Sequence, residues 1–409
     1  MAKDNSRFFD KKQEWSKIKD ELLLSYLPAY FQKVLYTRRP VFYVDCFAGM
    51  GVFKDGQPGS PVIALNIRSD VLAKTKVPDA RIDMCFIDKN YEEELKQNTN
   101  SYPEYDSHGK KTIIGGKYED HILSLLKAHS GDNIFLYIDP YGIKALDYDL
   151  FIRSQSCRPG SFEMLINMNS FGFIRAACRA MNIPCDDIDV HDLVEYDSTE
   201  FDTSSKSIEL LDKIAGGTYW REIVGRYRQE KAYDKDACIR AERAFSLAYK
   251  NRLQKTFTYV LDMPLRLKAG GPPKYRLVHV TNHPDGCILM ADNMMSRAKE
   301  LLVTVQNKRQ LDLFGQDVDN HIVDDREIYD KVKQYVSPQK TGIRLGEFMA
   351  GFFSAEGVVC ATGHIKAALK MLEDEKYIEV VRVPATTSSG RPSQSFEDGK
   401  GKSVTIRRS

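Results

Sequence analysis

The stretch VFYVDCFAGMG, Val41–Gly51, determines the predicted fold class, because four apolar residues run directly into an acidic residue and a turn with two glycines. A short apolar run bounded by turn residues is typical of a buried strand. Ser60 before Pro61 then predicts a helix start, since serine caps free backbone N–H groups and proline suits the first helical position. We predict that this helix ends near Leu72. A glycine turn between a strand and a helix is the context in which such a turn indicates ligand binding.

The same alternation of strand and helix continues downstream. Further apolar runs predict strands at Met84–Ile87, Lys111–Ile114, Asn133–Ile138 and Glu163–Asn167, with a helix at Glu119–Ala128. Apolar strands separated by helices indicate a parallel sheet covered on both faces, the α/β doubly wound class. Residues 10–36 predict one or two helices that pack on this sheet and are interrupted at Pro28.

The middle of the chain predicts a helical insertion at about 176–252. Its acidic stretch, Asp186–Asp202, and the basic stretch that follows are interpreted as solvated surface. Strand-rich segments at Thr256–Leu267 and Lys274–Thr281, separated by Gly270–Pro273, predict a hairpin that closes the sheet edge.

The C-terminal part predicts a separate small domain. A linker near Asp312–Asp325 divides a domain over 1–315 from one over 325–409, whose pattern is three helices and two strands: Arg326–Val336, Leu345–Phe353, Gly363–Glu373, Tyr377–Val383 and Lys402–Arg407. This order predicts a winged helix-turn-helix. Lys366 and Lys370 on its third helix are the candidate nucleic-acid contacts, and a protein-contact role for the module stays open.

Composition excludes some classes of protein. The 409 residues include 42% hydrophobic and 28% charged residues, as in ordinary globular chains. A net charge of +2 gives no argument for nucleic acid from the whole chain. No apolar run approaches the ~20 residues of a membrane span, and the start lacks the apolar core of a signal peptide, so we expect a cytoplasmic protein.

The cysteine and histidine patterns predict no metal site. The eight cysteines include no Cys-x-x-Cys pair, and we expect reduced, buried thiols. His279 and His283 have a ligand-like spacing, but no cysteine pair completes a set, and His283–Gly286 is predicted to be a turn.

Polar residues recur at the ends of the predicted strands, where Asp45, Asp88, Asp139 and Asn167 stand. Doubly wound sheets bind ligands at the carboxyl ends of their strands, so these side chains predict a binding site. Asp88 could accept two ribose hydroxyls; capping the helix after Lys89 is the alternative.

The segment Asp139–Gly142, DPYG, carries the candidate chemistry. Proline after a buried strand restricts the backbone and exposes the preceding carboxylate at the sheet edge. A carboxylate and a carbonyl placed there can hold a donor group, and Tyr141 offers a face for stacking on a planar substrate. A strand-ending turn without chemistry is the alternative.

Together, Val44–Gly51, Phe86–Asn90 and Tyr137–Gly142 resemble three motifs of class I S-adenosylmethionine-dependent methyltransferases. More closely, five segments resemble the three-Cys-motif partner (TcmP) family: Trp15–Lys19, Asp45–Gly49, Gly59–Pro61, Asp139–Gly142 and Thr281–Pro284.

This resemblance implies a Rossmann-like class I methyltransferase sheet, S-adenosylmethionine as cofactor and a three-Cys-motif, radical-enzyme-like partner protein. The three motifs predict methyl transfer, to nucleic acid or alongside that partner, with a non-catalytic accessory subunit that binds the cofactor or nucleic acid as the alternative. A dinucleotide-dependent oxidoreductase is disfavoured, because the turn is not Gly-x-Gly-x-x-Gly. The implied cofactor residues are Asp45, Phe47, Ala48, Gly49, Gly51 and Asp88, and the implied catalytic residues are Asp139, Pro140 and Tyr141.

Overall fold

The computed structural model describes residues 12, 14–185, 201–266, 273–310, 324–399 and 401–409. The chain forms two compact units, one of Met1–Thr258 with Pro264–Val280 and one of Tyr259–Met263 with Thr281–Ser409. The predicted acidic stretch lies almost wholly outside the described residues, as do most of the linker and of the hairpin turn.

The main sheet contains the strands β1 (Val41–Asp45), β2 (Ile82–Asp88), β3 (Tyr105–Asp106), β4 (Gly109–Gly115), β5 (Asn133–Ile138), β6 (Ser161–Met168), β7 (Tyr259–Arg266) and β8 (Pro273–Thr281). Their order across the sheet is β3-β4-β2-β1-β5-β6-β8-β7. The neighbours from β4 to β6 all pair in parallel. The mainly parallel α/β sheet predicted from the apolar runs is therefore confirmed; the two-residue strand β3 was not predicted.

The order of the parallel strands reverses between β1 and β5. From β1 the chain proceeds outward through β2 and β4, then returns to β5 on the other side of β1 and continues to β6. In a doubly wound sheet such a reversal opens a crevice at the carboxyl ends of the strands. The fold therefore has its ligand-binding edge where β1 and β5 end.

The helices of the first unit are α1 (Glu14–Leu35), α2 (Ser60–Lys74), α3 (Glu92–Asn98), α4 (Tyr118–Ala128), α5 (Tyr148–Gln155), α6 (Ser170–Ala180), α7 (Ser205–Ala215), α8 (Trp220–Glu230) and α9 (Ala237–Leu253). The predicted interruption at Pro28 is wrong, because α1 continues through it. Pro28 has no N–H to donate to the Leu24 carbonyl, and Leu24 is half exposed. Tyr26 and Tyr30 stay buried against Phe135 of the sheet.

Helix α2 begins at the predicted residue but not by the predicted cap. Gly59 occupies the N-cap position without a side-chain cap. The Ser60 hydroxyl instead donates a hydrogen bond to Asp45 at 2.6 Å. The prediction that Ser60 caps the helix is therefore wrong, because the buried carboxylate at the end of β1 takes its hydroxyl group.

Two buried glutamates brace the sheet and the helices packed on it. Glu163 on β6 accepts hydrogen bonds from the Tyr26 hydroxyl and pairs with Nε2 of His279 at 3.0 Å, which makes His279 a core residue. Glu242 on α9 accepts from the Ser170 hydroxyl at 2.5 Å and from Nε of Arg276 at 2.5 Å. Buried charges persist only when they are paired in this way.

The second unit contains α10 (Pro284–Gln310), α11 (Asp325–Val336), β9 (Ile343–Arg344), α12 (Leu345–Glu356), α13 (Thr362–Asp374), β10 (Ile378–Val383) and β11 (Ser403–Arg408). A small sheet has the order β10-β11-β9, and both pairs are antiparallel. The predicted C-terminal helices and strands are present, and β9 is added to them.

Helix α10 changes two expectations. The predicted turn at His283–Gly286 is wrong, because Pro284 is the first residue of this helix, a position that suits proline. The helix also belongs to the second unit, whereas the predicted boundary near 315–325 assigns it to the first. Within that unit, Asp292 accepts hydrogen bonds from the backbone N–H and hydroxyl of Thr362, each at 2.8 Å.

No helix of the described chain is long and apolar enough to cross a membrane.

Candidate active site

A cavity of about 510 Å³ lies in the first unit, at the carboxyl ends of its parallel strands. Its size is within the range of pockets for small molecules and cofactors. Segments that follow β1, β2, β4, β5 and β6 all contribute to the lining, as does α1: Cys46–Gly49, Asp88–Tyr91, Gly116–Glu119, Asp139–Gly142, Asn167, Asn169, Ser16, Lys19 and Asp20. Segments far apart in sequence therefore meet at one site.

The turn after β1 is bonded to the strands on both sides of it. The backbone N–H of Cys46 donates to the Tyr137 carbonyl at 2.9 Å, and that of Ala48 donates to the Ile87 carbonyl at 3.0 Å. The N–H of Gly49 donates to the Asp88 carboxylate at 2.8 Å. These bonds hold the turn rigidly at the strand reversal, where its backbone forms one wall of the cavity.

Two glycines are required by the shape of this turn. Gly49 and Gly51 have φ angles of 59° and 79°, in the left-handed region where other residues are strained. A Cβ at Gly51 would also lie 2.9 Å from Cδ1 of Leu95. Phe47 and Ala48 complete the turn and line the cavity, with the Phe47 ring centroid 5.1 Å from that of Tyr118.

Asp45 lies behind the turn rather than in the cavity lining. Its carboxylate is fully buried and accepts hydrogen bonds from the Ser60 hydroxyl and, at 3.2 Å, from the Phe47 N–H. Burial raises the pKa of Asp45 to about 7, while the hydrogen bonds from Ser60 and Phe47 oppose that rise. The structure thus places Asp45 as a brace between β1, its turn and α2. Its role as a cofactor residue stays a prediction.

Asp88 ties the second strand end to the first. One carboxylate oxygen accepts from the backbone N–H groups of Asn90 and Tyr91 at 2.8 and 3.0 Å. The other oxygen accepts from Gly49. Both interpretations of Asp88 have a structural counterpart, because it organises the turn before α3 and also lines the cavity. A ribose contact stays a prediction.

Asp139 is bonded to three side chains. Nζ of Lys19 lies 2.9 and 2.7 Å from its two oxygens. Asn167 donates to it at 2.7 Å, and the Tyr137 hydroxyl donates at 3.2 Å. This carboxylate is therefore paired with a cation inside the site, and its orientation is set by three neighbours.

The remaining residues of the DPYG segment shape the rim. Pro140 is buried, Tyr141 is half exposed, and Gly142 has a φ of 85° that a larger residue would resist. All three line the cavity. The structure brings together Asp139, Pro140 and Tyr141 with Phe47, Ala48, Gly49, Gly51 and Asp88. Of the four strand-end residues, Asp88, Asp139 and Asn167 line the cavity, and Asp45 lies just behind it.

Sequence reasoning missed Lys19 as a site residue, although a signal was present. Lys19 falls on the same helical stripe as Leu22, Leu23 and Tyr26, all of which are buried. A lysine on an apolar stripe requires a buried partner. Only the tertiary structure identifies that partner as Asp139, with the ammonium also 5.4 Å from the Tyr275 ring centroid.

Ser16, which sequence reasoning missed, and Asn167, which it predicted at a strand end, offer polar atoms to a ligand. The Ser16 hydroxyl and Oδ1 of Asn167 are buried and make no hydrogen bond within the described chain. Both residues line the cavity. Buried polar groups without partners are costly, so these two atoms mark where a bound molecule would be recognised.

The predicted nucleic-acid residues lie on α13 of the second unit. Lys366 is partly exposed, and Nζ of Lys370 lies 3.5 Å from Asp374. The described chain contains no group of three or more His, Cys, Asp or Glu side chains that could hold a metal ion.

Comparisons with known proteins give weak likenesses. No family model matches the chain, and no curated protein does. Among solved structures, the plantazolicin methyltransferase BamL in complex with a triazolic desmethylPZN analog and SAH is similar at a TM-score of 0.29 and 10% identity, over 68% of this chain and 90% of that one. A loganic acid methyltransferase with SAH is similar at 0.25 and 9%, over 69% and 97%. Likenesses at these TM-scores are too weak to support an inference about the present chain.

Asp45 should make stability depend on pH. Because burial raises its pKa from 3.8 to about 7, the folded chain keeps a proton that the unfolded chain releases in this window. The free energy of unfolding should therefore fall as pH rises from about 4 to about 7. Asp45→Asn mimics the protonated carboxyl group and does not titrate, so its stability relative to the unmodified protein should increase with pH. Urea unfolding at about pH 5 and about pH 8 measures this difference.

Asp120→Asn, at an exposed site, is the control for this experiment. A stability difference between Asp45→Asn and the unmodified protein that is equal at both pH values contradicts the assignment.

Proposed function

We propose that this chain is an S-adenosylmethionine-dependent methyltransferase. The observation that carries the proposal is the cavity at the strand reversal, whose lining includes the glycine turn, Asp88 and the DPYG segment. The resemblance of these same segments to methyltransferase motifs supports the choice of cofactor over other nucleotides.

The residues present fit such a cofactor. Within the turn at Phe47–Gly51, the residues Ala48, Gly49 and Gly51 have no bulky side chain, so a ligand can approach their backbone closely. Asp88 retains acceptor capacity for a ribose hydroxyl at the oxygen that accepts only from Gly49, since each carboxylate oxygen can accept about two hydrogen bonds. When bound, S-adenosylmethionine supplies a methyl group on a positively charged sulfur.

The acceptor side of the site would lie at Asp139. Its carboxylate is neutralised by Lys19, so it is better suited to orient an acceptor than to act as a strong base. Asn167 Oδ1 and the Ser16 hydroxyl would recognise polar groups of the acceptor, and Tyr141 would pack on it. Catalysis by positioning alone can contribute several kcal/mol.

Calorimetry with S-adenosylhomocysteine tests the cofactor assignment. Asp88→Ala removes the acceptor for three backbone N–H groups and should weaken binding at least about tenfold, since hydrogen bonds to charged groups contribute roughly 1.5–3 kcal/mol. Asp120→Ala, an exposed residue of α4 outside the cavity lining, should bind as the unmodified protein does. Absence of binding to the unmodified protein at high micromolar ligand would remove the proposal, and an unchanged Asp88→Ala would remove Asp88 from the site.

Replacement of Asp139 should reduce methyl transfer much more than cofactor binding. Asp139→Ala loses the group that orients the acceptor, so transfer of a labelled methyl group to pooled DNA, RNA or protein should fall by about 10²-fold or more. Cofactor affinity should change by less than about threefold. Asp139→Asn keeps an acceptor oxygen and checks that the loss does not come from leaving Lys19 unpaired. Equal losses of binding and transfer contradict this division of roles.

The alternative is a non-catalytic accessory subunit that binds the cofactor or nucleic acid and serves a three-Cys-motif partner. The observation that favours it is the full set of bonds at Asp139, which a structural ion pair would also display. Cofactor binding by the unmodified protein without transfer to any acceptor pool would select this alternative.

We further propose that the second unit contains a winged helix over residues 325–409. The order α11-β9-α12-α13-β10-β11 and the antiparallel β10–β11 pair support it. Lys366 and Lys370 on α13 are the candidate phosphate contacts. Lys370 is paired with Asp374, and other cations of this unit are paired as well, among them Arg382 with Glu373 and Arg407 with Glu379.

Salt dependence of DNA binding tests this module. If Lys366 contacts a phosphate, Lys366→Ala should reduce the slope of log K against log salt by about 0.9, because one fewer counterion is released. Lys370→Ala should act similarly, while Lys340→Ala, at an exposed site outside α13, should leave the slope unchanged. Fluorescence anisotropy with a labelled duplex measures the slopes. A flat salt response of the unmodified protein would assign the module to protein contact.

A further inference from the structure

Three of the eight cysteines meet in the first unit, away from the cavity lining. Cys178 lies on α6, Cys185 follows that helix, and Cys238 lies in the first turn of α9. The Sγ atoms of Cys185 and Cys238 are 3.9 Å apart, although 53 positions separate them in sequence. Cys178 is close enough to Cys185 for the two thiols to shift each other's pKa. The fold, and not any local sequence motif, creates this cluster of thiols.

The three thiols are not equivalent. Cys178 and Cys238 are buried, with 0% and 2% of their surfaces exposed, whereas Cys185 is partly exposed. Hydrogen bonds from Cys178 and Cys238 lower the pKa of Cys185, assisted by Tyr227 and by the positive charge of Arg175. The same bonds raise the pKa values of Cys178 and Cys238.

This asymmetry matches what reactive cysteines need. The thiolate is the nucleophile, and oxidation selects cysteines that combine thiolate character with exposure. Cys185 has both properties, and a second thiol lies close enough to form a disulfide after a shift of about 2 Å, given an S–S bond of about 2.05 Å. A metal-binding role is not indicated, since no metal-ligand group is found among the described residues.

We propose that Cys185 and Cys238 form a peroxide-sensitive thiol pair, with Cys178 as the neighbour that donates a hydrogen bond to the reactive sulfur. The Cys185 thiolate attacks one oxygen of hydrogen peroxide; the O–O bond breaks, and hydroxide leaves and takes a proton to become water. The Cys238 sulfur then attacks the resulting sulfenic acid. The S–O bond breaks, and its hydroxide leaves as water with the Cys238 proton. Two thiols and one peroxide thus give one disulfide and two waters, with two electrons passing from sulfur to peroxide.

The position of the pair connects it to the braces of the first unit. Cys238 is one turn of α9 before Glu242, which accepts the hydrogen bond from Ser170 at the start of α6. Cys178 lies near the other end of α6. A Cys185–Cys238 disulfide would therefore link the segment after α6 to α9, the helix whose Glu242 already holds the start of α6.

The test uses the full-length protein exposed to hydrogen peroxide, quenched with N-ethylmaleimide and analysed by peptide mass spectrometry. Cys185 should lose its free thiol at least about tenfold faster than the buried Cys157, as expected for a thiolate with access to solvent. A peptide cross-linked through Cys185 and Cys238 should accumulate. In Cys238→Ser, oxidation should stop at a sulfenic acid on Cys185 that dimedone traps; in Cys157→Ser, the cross-link should form as in the unmodified protein.

Two outcomes would overturn the proposal. Equal oxidation rates at Cys185 and Cys157 would remove the special reactivity, and a cross-link of Cys185 to Cys178 instead of Cys238 would remove the assigned pair. Because the rates and the cross-link are measured in the unmodified protein, the result does not depend on whether a variant folds.

Discussion

The reversal of strand order between β1 and β5 is the constraint on which the rest of the first unit depends. Parallel strands all end at the same edge of a sheet, and the reversal separates the connections that leave β1 from those that leave β5. The turn after β1 therefore has room to extend over the edge. Its backbone N–H groups donate hydrogen bonds to Tyr137, Ile87 and Asp88, and these bonds fix the turn as one wall of the cavity.

Several acidic side chains near the carboxyl ends of the strands are paired with lysines or have a raised pKa. Lys19 neutralises Asp139, and Lys12 pairs with Asp20, whose pKa burial still raises to about 6. Asp45 has hydrogen-bond donors but no cation beside it among the described residues, so burial dominates and raises its pKa further. The result is a site whose acidic residues carry less negative charge than their number suggests.

Many features of the site could be predicted from the sequence because they depend on local patterns. The apolar runs predicted β1, β2, β4, β5 and β6, and their terminal residues predicted which side chains gather at the edge. Other features depend on contacts between distant residues. Pro28 sits inside α1 because tertiary packing outweighs the lost hydrogen bond, and Ser60 serves Asp45 rather than the helix end. Neither the helical conformation at Pro28 nor the hydrogen-bond partner of Ser60 can be predicted from the residues next to it in sequence.

The sequence by itself determined the α/β class, the succession of strands and the clustering of strand-end residues, since periodicity and turn chemistry act over a few positions. Only the tertiary structure decided which partners those residues have. It pairs Asp139 with Lys19, 120 positions away, and places Asp45 behind the turn instead of in the cavity lining. It also gathers Cys178, Cys185 and Cys238 into one cluster. The physical reason is that such contacts arise from the packing of whole elements against one another, which no short stretch of sequence encodes.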